Sequence, residues 1–379
     1  MKKIIGTNLG NWLVLEKWMQ PFLFEETDTE DETWLNRKSE AEKLAIEMKA
    51  HRDTYVTEED FKNIASHGLN MVRIPVPYFI FGDVAPYNGC IGYLDQAFDW
   101  AEKYNLQILV DLHTAPDGQN GYDNGGICGV CKWCKQPDKV EFTITVLERL
   151  AQRYATRKGL FGIEVLNEPI SKIVWLTSPT RKSAVDKEEA KGSTYVPLKF
   201  LKKFYTEVYH RLREVLPEDK TIVFHDGFRI DKWNRFFKQS NMKNVMLDTH
   251  IYIFAMEMFI PIHAFWVYRI YINICKWQIK NAQKSIPVVI GEWCISNKYS
   301  EKMKNKVMID SELNERRVEC YNQIAELQLN AWGEAGGYFY WNYQIYRDMK
   351  MDIKPYWKNS WDLRRCWDKG WMSEQLGEK

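Results

Sequence analysis

The sequence predicts an α/β protein folded as one (β/α)8 TIM barrel with enlarged βα loops. Three observations predict it. Eight short apolar runs recur along the 379 residues, each ending in polar residues or glycine, as strands covered on both faces do. Helical patterns separate many of these runs. Strand and helix alternating eight times is the signature of such a barrel, whose usual ~250 residues grow with loop insertions. No Gly-rich phosphate turn follows the first run, which counts against a doubly wound sheet.

In chain order the runs are "IIGTNLG" from Ile4, "LNMVRIP" from Leu69, "LQILVDLH" from Leu106 and "FGIEVLNE" from Phe161. They continue with "TIVFHDG" from Thr221, "NVMLDTHIY" from Asn244, "PVVIGEW" from Pro287 and "GYFYWNY" from Gly337. "TEEDFKNIASHG" reads as a helix with a Thr57 cap, acids in its first turn and Gly68 at its end. "LDQAFDWAEKYN" and "VEFTITVLERLAQRYA" precede the third and fourth strands, "PLKFLKKFYTEVYHRLREVL" the fifth and "NERRVECYNQIAELQLNA" the eighth. Residues 178–197 are charged and turn-rich and read as an exposed insertion after the fourth strand. The tail, 343–379, carries Trp357, Trp361, Trp367 and Trp371 and is expected to pack on the barrel. No residue period repeats, so the chain is no solenoid, and 1–379 reads as a single domain.

A net charge of +1 supplies no field for nucleic acid or anionic lipid. The 16 Trp and 20 Tyr suit cores, interfaces and sugar-binding clefts alike. "MKKIIGTNLG" has only two apolar residues before Gly6 and so no signal-peptide core; a cytoplasmic protein is expected. The eight cysteines fit reduced thiols there. The stretch from Ile251 to Cys275 is long enough to cross a membrane. However, Glu257, Pro261, His263 and Arg269 fall inside it, and charges at mid-membrane are costly. A loop and helix are expected instead.

In a (β/α)8 barrel the site lies at the C-terminal ends of the strands. Those ends carry Arg73, His113, Asn167 with Glu168, His225 with Asp226, His250 with Tyr252, Glu292 and Trp341. Zinc would favour several His and Asp on neighbouring strands; no metal or cofactor is expected. Glu168 and Glu292 end the fourth and seventh strands, which face each other across a barrel mouth. Two carboxylates straddling a glycosidic bond are the minimum equipment for its hydrolysis. One attacks the anomeric carbon, and the other protonates the leaving oxygen and then activates water. Arg73 beside one would keep it ionised, and that charge would keep the proton on the other.

"LNEP" and "GEW" at these two strand ends resemble glycoside hydrolase family 5. "GTNLGNWLVLEKW", "GLNMVRIP", "DLHTAPDGQNGYDN", "FHDGF" and "THIY" are similar to its exo-β-1,3-glucanase branch, over roughly Gly6 to Asn342. The resemblance implies Glu168 as acid/base and Glu292 as nucleophile of a retaining mechanism. It implies Asn167 on the sugar 2-hydroxyl, with Arg73 and Tyr252 orienting Glu292. His113 and His250 would line the subsite, and Trp341 would form its floor. Glu16, Asp123 and Asn124 resemble the pocket end that grips the terminal sugar. The expected substrates are β-linked glucosides or oligosaccharides, with an exo-β-1,3-glucanase and a β-glucosidase or transglycosidase as alternatives; a non-catalytic sugar-binding barrel would have no need of both glutamates. Two departures stand out. Tyr122 replaces a phenylalanine beside the acceptor subsite. Cys128, Cys131 and Cys134 follow the sugar-gripping loop and are expected to be free thiols. Phe254, Phe259, Phe265 and Trp266 are expected to form an apolar acceptor wall or a subunit interface, with oligomerisation through 254–277.

Overall fold

A computed structural model describes residues 2–301, 310–373 and 376. Eight parallel strands close into a barrel in sequence order. They are β1 (Ile4–Asn8), β2 (Met71–Val76), β3 (Gln107–Leu112), β4 (Leu160–Glu164), β5 (Thr221–His225), β6 (Val245–His250), β7 (Val288–Trp293) and β8 (Gly337–Tyr340). Each lies within one of the eight apolar runs, to within a residue. Helices cover the outside, so the strands are buried on both faces, which is why they read as continuous apolar stretches.

One apolar residue from each strand plugs the lower barrel: Ile4, Met71, Leu109, Phe161, Val223, Met246, Val289 and Phe339. Side chains alternate inward along a strand. Two residues further along β2, β3, β5 and β6 therefore come Arg73, Asp111, His225 and Asp248, all fully buried. The barrel thus carries an apolar layer below and a charged layer above.

The helix Glu58–Ser66 begins where expected: the Asp60 carboxylate accepts from the Thr57 backbone N–H at 2.8 Å and from its hydroxyl at 2.9 Å. Gly68 closes it at φ +75°, the left-handed position that glycine adopts at no steric cost. Two further helices, Glu32–Lys38 and Ala41–Tyr55, enlarge the β1–β2 connection. Residues 178–197 are mostly exposed and lie over the cysteine loop. Arg37 clasps Glu189 in a bidentate pair at 2.8 and 2.9 Å, and the Thr194 N–H donates to the Cys131 carbonyl at 2.8 Å.

The tail returns to the barrel. Trp367 stacks on His67 at 4.0 Å and Trp371 packs on Tyr321 at 4.4 Å. The Tyr340 hydroxyl on β8 donates to the Ser360 carbonyl at 2.6 Å. Residues 251–275 form the short helix Ile253–Glu257, a loop and most of the helix Phe265–Ala282. Among the described residues no helix is long and apolar enough to cross a membrane.

Candidate active site

Arg73 organises the upper barrel. Its Nε donates to Glu164 at 2.7 Å, Nη1 to Asn8 and Glu292 at 3.0 Å each, and Nη2 to Asn167 at 2.9 Å. Nη2 also lies 3.1 Å from Asp111. Four of the guanidinium's five N–H donors make hydrogen bonds. Burial opposes its charge, yet Asp111, Glu164, Glu292 and Asp248 hold its pKa well above the ordinary value. This corrects the rim position expected for Arg73: it sits inside the barrel, and four carboxylates share its charge.

Glu292 receives a second hydrogen bond, from the Tyr252 hydroxyl at 2.7 Å. The β6–β7 register shifts after Thr249, so that His250 pairs with Glu292. Gly291 permits this. A Cβ there would fall 1.9 Å from the Asp248 carboxylate, an approach no larger residue survives.

Glu168 stands just beyond β4 at φ +46°. A non-glycine residue in that region costs on the order of 1–3 kcal/mol and needs surroundings that impose it. Its Oε1 lies 2.9 Å from His250 Nδ1 and its Oε2 accepts from Asn124 Nδ2 at 3.1 Å. The same His250 nitrogen lies 3.4 Å from Glu292 Oε2. The two carboxylate oxygens are therefore no more than about 6.3 Å apart, short of the ~6.5–9.5 Å typical of inverting pairs.

The protonation pattern differs from the expectation. Burial disfavours charge on His250, but Glu292, Asp248 and the Glu168 hydrogen bond raise its pKa well above 6.5. Burial alone would raise Glu168; the His250 bond, the His250 and His225 charges and Asn124 instead bring it down to about 2. Glu292 is raised by burial and by Glu168, against His250 and Arg73. In the free site the proton therefore rests on His250 and not on Glu168. Arg73 does lie beside one of the glutamates, Glu292, but the proton expected on the other is drawn to His250, whose ring lies within reach of both.

Asn167 is fully buried. Its Oδ1 is held by Arg73, and its Nδ2 lies 3.4 Å from His113 Nε2. His113 Nδ1 lies 2.5 Å from Asp111, and the ring stacks on Trp341 at 5.7 Å. Trp341 is 3% exposed, and Gly10 makes room for its ring: a Cβ there would lie 2.6 Å from it. Glu16, 5% exposed, accepts from Trp18 Nε1 at 2.7 Å. Burial and the neighbouring Asp123 raise Glu16 well above the carboxylate range, and burial raises Asp123 to about 6. Asn124 links that pair to Glu168: its backbone N–H donates to the Asp123 carboxylate and its side-chain amide to Glu168.

The four aromatics after Tyr252 do not form one wall. Phe254 turns to the site, 5.1 Å from Tyr252 and 5.2 Å from Trp361. Phe265 is half-buried, while Phe259 and Trp266 face outward at 62% and 60% exposure. Trp361 and Trp18, 5.3 Å apart, join this rim and were not among the residues expected there. Asn8, Asp111 and Glu164 were also missed, although their inward-facing positions on apolar strands carried the signal.

Among the described residues, Glu168–His225–His250 and Glu164–Asp248–His250 bring cation ligands together. His250 is common to both groups. The sulfurs of Cys128, Cys131 and Cys134 form no such cluster there, and burial raises all three thiols.

Residues 31–326 match the model of the family Cellulase (glycosyl hydrolase family 5). The chain is 38% identical over 303 residues to probable glucan 1,3-beta-glucosidase A of Emericella nidulans, covering 77% of this chain and 67% of that protein. It is 29% identical over 393 residues to the glucan 1,3-beta-glucosidase of Schwanniomyces occidentalis, covering 93% and 85%. The rutinosidase from Aspergillus niger superposes with a TM-score of 0.74 at 22% identity, covering 98% of each chain, a likeness of fold. With one carboxylate just beyond β4 and the other on β7, the chain belongs to glycosyl hydrolase family 5 and is a glycoside hydrolase.

Proposed function

We propose that the chain is a retaining β-glycosidase that removes terminal β-glucosyl units from short β-1,3-glucans or β-glucosides. The observation that carries this reading is one nitrogen, His250 Nδ1, within hydrogen-bonding reach of both Glu168 and Glu292. A pair held that closely suits attack by one carboxylate and proton donation by the other. The names of the relatives support a β-1,3-linked substrate.

Glu292, fixed by Arg73 and Tyr252, attacks the anomeric carbon, and the bond to the leaving oxygen breaks. The electron pair goes to that oxygen, which takes a proton from Glu168. That proton reaches Glu168 Oε1 from His250 Nδ1 across 2.9 Å. The transfer is timed by charge. Glu292 raises the His250 pKa, and ester formation removes that negative charge, so His250 becomes a stronger acid as the bond forms. In the second half Glu168 takes a proton from the attacking water. Glu292 leaves as an anion, and His250 again holds the proton. Asn167 Nδ2 would donate to the sugar 2-hydroxyl, a contact that strengthens towards the transition state.

A second reading, a β-glucosidase or transglycosidase with an apolar acceptor site, is favoured by the Tyr252–Phe254–Trp361–Trp18 rim. A substrate panel separates the two. Laminaribiose, laminarin, cellobiose, gentiobiose and aryl β-glucosides are followed over time by product chromatography. Preferred release of glucose from laminaribiose and laminarin supports the first reading. Preferred turnover of aryl glucosides with longer transfer products supports the second. No turnover of any β-glucoside would overturn both.

A further inference from the structure

The helix Phe265–Ala282 covers the barrel with Val267, Tyr268, Ile272, Cys275, Ile279 and Ala282. Its opposite face is also apolar. Trp266, Ile270, Ile274 and Trp277 are 60%, 54%, 52% and 63% exposed. At 100° per residue these four fall within one narrow stripe about 17 Å long. The loop before the helix extends the patch with Met258, Phe259, Ile260 and Ile262, which are 60%, 62%, 40% and 51% exposed. At roughly 200 Å2 per large side chain, these eight residues expose on the order of 900 Å2 of largely apolar surface. That exceeds the ~300–600 Å2 of the largest patch on an ordinary monomer and matches the ~800 Å2 each partner gives to a standard interface.

The order of residues in the stripe identifies the occupant. It reads Trp, Ile, Ile, Trp at spacings of four, four and three. Turned end for end about the midpoint between Ile270 and Ile274, it nearly superposes on itself: the two isoleucines exchange places, and Trp266 falls one residue beyond Trp277. An isologous two-fold contact requires this self-complementarity; a bilayer or an unrelated partner has no use for it. We propose that this face docks a second copy of the chain. The two helices pair antiparallel, Trp266 against the partner's Trp277 and Ile270 against the partner's Ile274. The flanking basic residues do not oppose this. Lys276 and Lys280 are paired with Glu334 at 3.2 and 3.0 Å, which leaves Arg269 at the edge of the stripe.

Sedimentation equilibrium of the full chain from about 1 to 100 µM tests it. The expected result is a concentration-dependent dimer. Ile270→Glu places like charges beside the two-fold axis and should give a monomer with unchanged kcat/KM on an aryl β-glucoside. Ile270→Glu combined with Ile274→Lys sets opposite charges across the antiparallel pair and should restore the dimer. A wild-type monomer at 100 µM overturns the proposal, as does a dimer that Ile270→Glu leaves intact. Binding of the wild-type monomer to phosphatidylglycerol vesicles, lost in Ile270→Glu, would overturn it in favour of a membrane contact.

Discussion

Replacing His250 by Gln removes the imidazole that lies within reach of both Glu168 and Glu292. At about 6 Å and an effective dielectric near 20, two bare carboxylates repel by about 3 kcal/mol, or about two pKa units. Glu168 should rise from about 2 to the ordinary carboxylate range, still far below His250. In the wild type the proton on His250 is present below its raised pKa and lost as pH rises through it. The basic limb of kcat/KM therefore lies above pH 6.5 in the wild type. In the variant Glu168 alone carries the proton, so the limb should move at least one unit towards acid. At pH 7 the rate on laminaribiose should fall at least about tenfold, and less at pH 5. Initial rates across pH 4 to 9 give the profile, with a thermal midpoint to verify folding. A basic limb that stays in place would refute the shared-proton reasoning.

Two other substitutions follow from the same geometry. Glu168→Ala should slow laminaribiose cleavage by ~10²–10⁴ yet scarcely change the first step with dinitrophenyl β-glucoside, whose leaving group needs no proton; equal losses in a pre-steady-state burst would contradict this. Gly10→Ala pushes a methyl against the Trp341 ring and should cost about 1–3 kcal/mol of stability. It should also raise KM severalfold more than it lowers kcat; an unchanged KM and melting midpoint would remove Trp341 from the account.

The barrel was legible because every strand is buried on both faces, so each reads as an apolar run ending at its mouth residue. Glu168 and Glu292 were legible because they stand where those runs stop. Asp111, Glu164 and Asp248 lie within the runs; only their placement around Arg73 gives them meaning. Arg73 itself looked like a strand end because the chain does not show how deep a side chain lies. Trp361 reaches Tyr252 from the tail, a contact no local pattern encodes. The helix Ala41–Tyr55 was missed because its buried face is only Leu44, Met48, His51, Arg52 and Tyr55, too mixed to read as an apolar stripe. The proton's position was beyond reach of pairwise reasoning, since it depends on a histidine touching both glutamates.

The central claim is double displacement through Glu292, with Glu168 moving the proton. Proton NMR of the anomer first released from laminaribiose by the wild-type enzyme tests it most directly. β-Glucose is expected at the earliest times, with the α signal growing only at the rate of mutarotation. α-Glucose as the first product would show single displacement and contradict the roles given to both glutamates.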